Sequence, residues 1–325
     1  DTAIIKAGNY YKYDPSLSVA RLFTNYTSWA NTQSRNYDPF LAETCYDYRP
    51  RRVIYSLPAQ FEGLRDNWLI FLANNYYDFL SRVTCIRPVN KSGAIILFEF
   101  GAPVEFQGLD QLQTSLGTKL TIGDGGLFSQ PMQALNNADR PHEYGSCQDR
   151  LSVINTPVGL FWISQNQGKI FHLANGMNPI SDKELKWWFN SYLPYKLTQL
   201  FPNFDLTDNP VVGIGCQSVY DNENGLVYFC KKDYVLRAGY TPNATPIGLP
   251  ATGPGNIQYD GKDNFIYTPT GLRIKLGDPR YFEDASWTTS FDAKKGEWLG
   301  WHDWHPELLM PTKNTFMSII TNPYI

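Results

Sequence analysis

The chain of 325 residues is 42% hydrophobic and only 18% charged, a balance that excludes a disordered polypeptide and supplies ample material for a packed core. A net charge of −3, with no run of Lys or Arg, argues against a protein that grips nucleic acid through its phosphates. Aromatic residues make up 15%, and the 22 Pro and 25 Gly are scattered throughout, which predicts a mainly β fold with many turns and few helices.

No stretch approaches the roughly 18 continuous apolar residues of a membrane span. Five cysteines, at 45, 85, 147, 216 and 230, form no C-x-x-C pair and read as reduced, buried thiols. The sequence opens at Asp1 without a signal-peptide pattern and stops straight after a strand-like run, so it reads as a fragment of a longer chain.

In chain order, residues 1–50 are rich in Tyr, Asn, Ser and Asp with little periodicity, and are expected to form an irregular arm or insertion. Residues 51–325 are expected to form one β-propeller-like domain. Val53–Leu57 reads as a strand, and Trp68–Phe71 as an apolar run. Ala94–Phe100 followed by Pro103–Phe106 predicts a hairpin around Gly101. Leu120–Ile122 leads into Gly123-Asp124-Gly125-Gly126, which lacks both a dinucleotide fingerprint and a P-loop lysine and reads as a turn. Ser181-Asp182-Lys183-Glu184 has the pattern of a helix capping box. Behind it Leu185, Trp188, Phe189 and Tyr192 fall on one helical face, and Pro194 ends the run.

An internal repeat organises the later part. Four segments superpose without gaps: Ile163–Phe171, Tyr220–Tyr228, Tyr259–Tyr267 and Phe291–Leu299. Each has a large apolar residue, then Ser164, Asp221, Asp260 or Asp292, three loop residues, then Gly168, Gly225, Asn264 or Gly296, then a second apolar run. A Ser or Asp side chain binds backbone N–H groups at a loop entrance, and Gly or Asn supplies the left-handed φ that closes the loop. The pattern therefore predicts hairpins held by those eight residues. The spacings of 57, 39 and 32 residues scatter around the roughly 40–50 of propeller blades, so repeated propeller-like hairpins are the expected architecture.

Catalytic patterns are weak. His302, Asp303 and His305 sit together in sequence, but strand alternation separates them across two faces. His142 and His172 lack a nucleophile partner, and Cys147 lacks a His/Asn set. Glu283 and Asp284 are neighbours that point apart along a strand, where a glycosidase needs facing carboxylates. No enzyme activity, cofactor or metal is expected.

Several stretches together resemble a known family. They are Leu120–Phe128, Leu151–Ile163, Ser218–Phe229 with Lys231-Lys232-Asp233-Tyr234, and Phe282–Trp287 through Trp301–Leu308. They are similar to the muzzle, or stabilisation, protein of crAss-like short-tailed gut phages, which is related in role to the nozzle of other short-tailed phages. The resemblance runs over about residues 50–325 and implies a virion structural protein. It implies a sixfold ring of copies at the distal end of the tail, joined to other tail proteins, around a channel that DNA traverses without specific binding. It implies assembly in the bacterial host cytoplasm and no catalytic residues. The alternative is a secreted β-propeller that binds or hydrolyses carbohydrate.

Overall fold

The computed structural model describes residues 49–56, 74–89, 93–107, 112–113, 119–120, 132–135, 144–174, 176–201, 213–243, 256–259, 266–267, 273–274 and 276–320. Nearly all of the N-terminal arm, Trp68–Phe71, Gly123–Gly126, His142, Asp260 and Asn264 lie outside them. The chain divides into two compact units, one of residues 1–99 and 103–135, the other of residues 100–102 and 136–325.

In the first unit β1 (Arg52–Ile54) pairs antiparallel with β2 (Tyr76–Asp78). The strands β3 (Val83–Pro88), β4 (Gly93–Phe98), β5 (Val104–Gln107) and β8 (Gln133–Ala134) form a sheet in that order, while β6 (Leu112–Gln113) pairs with β7 (Lys119–Leu120). The hairpin expected around Gly101 is present, with Ile96 opposite Val104 and Gly101 at φ +111. Its first strand is buried at every position because Ala94–Phe98 is uninterrupted apolar sequence, the mark of a central strand. Val53, Ile96, Phe98 and Phe106 close a small core.

The second unit opens with a meander of β9 (Ile154–Thr156), β10 (Gly159–Ser164), β11 (Lys169–Leu173) and β12 (Met177–Pro179). Two short helices follow, α1 (Lys186–Tyr192) and α2 (Lys196–Leu200). Then come β13 (Gly215–Asp221), β14 (Leu226–Lys232), β15 (Tyr234–Leu236), β16 (Thr241–Asn243), β17 (Asn256–Tyr259), β18 (Ile266–Tyr267) and β19 (Arg273–Ile274). The chain finishes with β20 (Phe282–Asp284), β21 (Trp287–Asp292), β22 (Glu297–His302), β23 (Leu308–Pro311) and β24 (Phe316–Ile319). The fold is mainly β, as expected.

The described residues of all four repeat segments lie in antiparallel strand pairs, but the segments do not each found a separate sheet. The second and fourth share one sheet of order β13-β14-β21-β22, and the third sits in another, β16-β17-β18-β19, inserted between them in sequence. The reason is that β14 is paired on both sides along nearly its whole length, by β13 and by β21. Among the described residues no closed ring of blades is formed. The core of the unit is aromatic: Phe161, Phe189, Phe229, Phe291 and Trp287 pack together behind this sheet.

The capping box is corrected by the structure. Ser181 is buried in a single 3-10 turn, Ile180–Asp182, and its hydroxyl accepts the N–H of Ile170 at 3.1 Å on β11. Asp182 is taken by Lys169 at 2.6 Å, and Glu184 turns to φ +60. Helix α1 therefore starts only at Lys186, with no side-chain cap. Tertiary pairing captured the groups that local sequence would have used at the helix start.

Candidate assembly surface

The most developed surface in the second unit is built where α1 lies on β21 and β22. A bulge makes it possible. Asp292 and Phe291 face Glu297 and Trp298, but Ser290 faces Gly300, which leaves Leu299 as the extra residue. Side chains alternate along a strand, so this insertion returns Trp301 to the same face as Trp298. Trp298 packs at 4.9 Å on both Phe189 and Phe291, while Trp301 meets Trp188 at 3.9 Å between ring centroids. Trp188 also stacks on Tyr192 at 5.0 Å and meets Trp287 edge-on at 5.2 Å. The cluster runs from fully buried rings out to Trp301 and Tyr192, each 46% exposed. The same helix exposes Trp187 at 68%, and the bulge exposes Leu299 at 52%.

A buried ion pair holds this helix in place. Lys231 on β14 and Asp233 just after it are 1% and 0% exposed and meet at 2.7 Å. The Lys231 ammonium donates to the carbonyls of Tyr192 at 2.8 Å and Pro194 at 3.0 Å, at the end of α1. The Asp233 carboxylate accepts the N–H groups of Lys196 at 2.6 Å and Leu197 at 3.3 Å, at the start of α2. Each charge thus sits on the helix end whose unpaired backbone groups and dipole it complements. Trp287 donates its indole N–H to the same Tyr192 carbonyl at 3.3 Å. The helix that carries the aromatic face is therefore tied at its end to β14 and β21.

Sequence patterning left this pair without a role, although the signal was available. Alternation along β14 puts Lys231 on the buried face with Val227 and Phe229, where an isolated ammonium is unaffordable and a partner is required.

Deeper in the unit, the Tyr195 hydroxyl donates its hydrogen to Asp149 at 2.8 Å, and the Cys216 sulfur lies 3.3 Å from the same oxygen. Burial, helped by Asp149, pushes the Tyr195 phenol and the Cys216 thiol well above their ordinary ranges, and burial pushes Cys230 up to about 12. Both thiols stay protonated and have the character of core groups rather than nucleophiles. Cys216 and Cys230 are free thiols.

The histidines are structural in their contacts. His302 reaches Ser290 Oγ at 3.0 Å and lies beside Tyr228 and Trp304. His305 reaches Asp284 at 3.1 Å, and Asp303 lies on a bend past the strand. Burial opposes ionisation of Asp284, but hydrogen bonds from His305 and Ser286 outweigh it and hold the carboxyl at about 2. His172 stacks on Phe161 at 4.2 Å, and burial lowers its pKa. Among the described residues no three His, Cys, Asp or Glu side chains stand together as metal ligands.

The hairpin residues divide by mechanism. Asp292 accepts the N–H groups of Lys294 and Lys295, both at 2.9 Å, and Asp221 accepts the Glu223 N–H at 3.1 Å. Gly296 and Gly225 close these loops at φ +74 and +73. Ser164 instead bonds the Ser146 hydroxyl at 3.0 Å, across the core rather than within its loop. Its partner Gly168, at φ +60, lies against α1, where an added Cβ would stand 2.8 Å from the Asn190 Cα.

A β-rich chain whose best-built surface is a braced aromatic face, and whose polar buried groups serve packing, belongs to the class of structural assembly proteins. Comparison with family models agrees: residues 1–238 match the Crassvirus muzzle protein model. The chain belongs to that family, and is thus a structural tail protein of crAss-like phage virions. No curated protein matches the chain. Among the described residues no helix is long and apolar enough to cross a membrane.

Proposed function

We propose that this chain is a subunit of the ring at the distal end of a short phage tail, surrounding the channel through which the genome leaves. The observation that carries the reading is the aromatic face on which exposed Tyr192 and Trp301 pack on half-buried Trp188, on its ion-paired support. Large rigid aromatics at a surface are the groups that anchor stable protein interfaces, because they bury much area while losing little conformational freedom. Family membership supports the same reading. The ring is sixfold, its subunits contact other tail proteins, and the four-stranded sheets act as blade-like units of a propeller-like domain over residues 51–325, with residues 1–50 as an arm. The eight turn residues from Ser164 to Gly296 are structural. The net charge of −3 suits a wall past which DNA slides without specific binding. The protein is not an enzyme, and it assembles in the host cytoplasm.

Native mass spectrometry and negative-stain imaging of the full-length protein, alone and with its neighbouring tail proteins, test this. Rings with a central hole are expected, and Trp301→Asp is expected to abolish them. Exposed tryptophans also suit sugar stacking, so a monomer that binds or cleaves an oligosaccharide would replace this reading with the carbohydrate one.

A further inference from the structure

The two outer strands near the C-terminal end of the second unit are finished differently. The bulge in β22 breaks the regular ladder of an edge, one of the ways proteins prevent unwanted strand pairing. Among the described residues β24 has no bulge and no strand on its outer side. It pairs with β23 in unbroken register, from Leu308 opposite Ile319 to Pro311 opposite Phe316. From Thr315 to Ile320 it carries no charge and no proline.

The ladder direction can be read from its ends. Thr312 donates its N–H to the Thr315 carbonyl at 2.9 Å, while the Leu309 N–H turns away to Gln217 at 2.9 Å. Backbone groups alternate sides along an antiparallel pair, so those of Phe316, Ser318 and Ile320 point outward from β24. On one face Phe316 packs against Tyr228 and Trp304. On the other, Met317 and Ile319 are 55% and 44% exposed; Ile320, which alternation places on the Phe316 side, is 57% exposed.

We infer that β24 pairs antiparallel with β24 of a second copy, about a two-fold axis at Ser318. The strand is self-complementary for this contact. Ser318 would face its own counterpart, and Phe316 would face Ile320 of the copy, placing all the outward N–H and C=O groups in register for about six hydrogen bonds. Met317 would meet Ile319 of the copy in the closer, non-hydrogen-bonded pairs, covering the exposed apolar side chains. A two-fold contact sets each central residue beside itself, so a charge there would be repelled by its copy, and this strand has none. Two hairpins would become one four-stranded sheet, which passes the size at which strands are stable in water. The contact closes on itself, whereas the subunits of a ring meet head to tail. The pairing therefore belongs to the free subunit and goes beyond the ring reading above.

Light scattering on the chain of residues 1–325 over a range of concentrations tests it. The mass is expected to rise toward twice 37.1 kDa. Ser318→Lys, which sets like charges opposite one another, is expected to hold the mass at 37.1 kDa in low salt and to recover pairing in high salt. Ser318→Pro, which deletes an outward N–H and leaves the β23 ladder intact, is expected to stay monomeric with an unchanged circular dichroism spectrum. A wild-type monomer at every concentration, or folded Ser318 variants that keep the wild-type mass, would overturn the inference. So would a mass gain that needs a different tail protein. Rings lost in Trp301→Asp but kept in both Ser318 variants, without any concentration-dependent pair, would overturn it while leaving the ring reading intact. A persistent pair that never forms rings would do the reverse.

Discussion

The turns at Ser164–Gly168 and Asp292–Gly296 follow one sequence pattern yet stand on different supports. The Asp292 turn is self-contained, its carboxylate closing on two N–H groups of its own loop. The Ser164 turn is held from outside, by Ser146 across the core and by the wall of α1 beside Gly168. The same local code can thus be satisfied locally or delegated to tertiary packing, and the two cases should respond differently to perturbation.

The largest effect is expected beneath α1. Asp233→Ala strands the buried Lys231 ammonium and uncaps α2, so a loss of about 3–5 kcal/mol in chemical denaturation is expected. If α1 shifts as a result, the Ser164 turn should loosen with it and the Asp292 turn should not, a contrast that hydrogen exchange would read. Gly168→Ala comes next. It combines a left-handed φ with a contact to backbone, for which a loss of about 2–3 kcal/mol is expected. Gly296→Ala tests the other side of the comparison. Its new Cβ would meet only the flexible end of Lys183 at 3.4 Å, so about 1 kcal/mol is expected. Equal losses for the two glycine variants would break the comparison.

The smallest effect is one of pH. Backbone N–H bonds from Lys295, then Lys294, outweigh a modest burial cost and lower the Asp292 pKa. A depressed folded pKa contributes stability above the unfolded value near about 3.9, and that contribution is lost as pH falls through the folded value. The amide resonances of Lys294 and Lys295 should therefore move below about pH 4, while those of residues 165–168 stay put. Asp292→Asn should remove the movement.

Much of the molecule was legible in its sequence. The β-rich class followed from composition, and the hairpin around Gly101 from two apolar runs broken at a glycine. The family was legible in short stretches such as Ser218–Phe229 and Lys231–Tyr234. The helix start at Ser181 was misread because the capping pattern there is spent on β11 and Lys169. That Trp188 and Tyr192 share one helical face was legible, but their meeting with Trp301 was not. Trp301 reaches α1 only because the bulge at Leu299 resets the alternation, and a bulge is decided by which strands pair.

The sequence by itself determined what depends on near neighbours: turn residues, strand periodicity, the hydrophobic material of the core, and the stretches that mark the family. Tertiary structure alone decided which hairpins share a sheet, that Lys231 and Asp233 brace two helix ends, and that β24 has β23 as its one strand partner among the described residues. Those outcomes depend on groups far apart in the chain, Lys231 meeting the Tyr192 carbonyl and Gln217 meeting Leu309, and no local rule carries information about them.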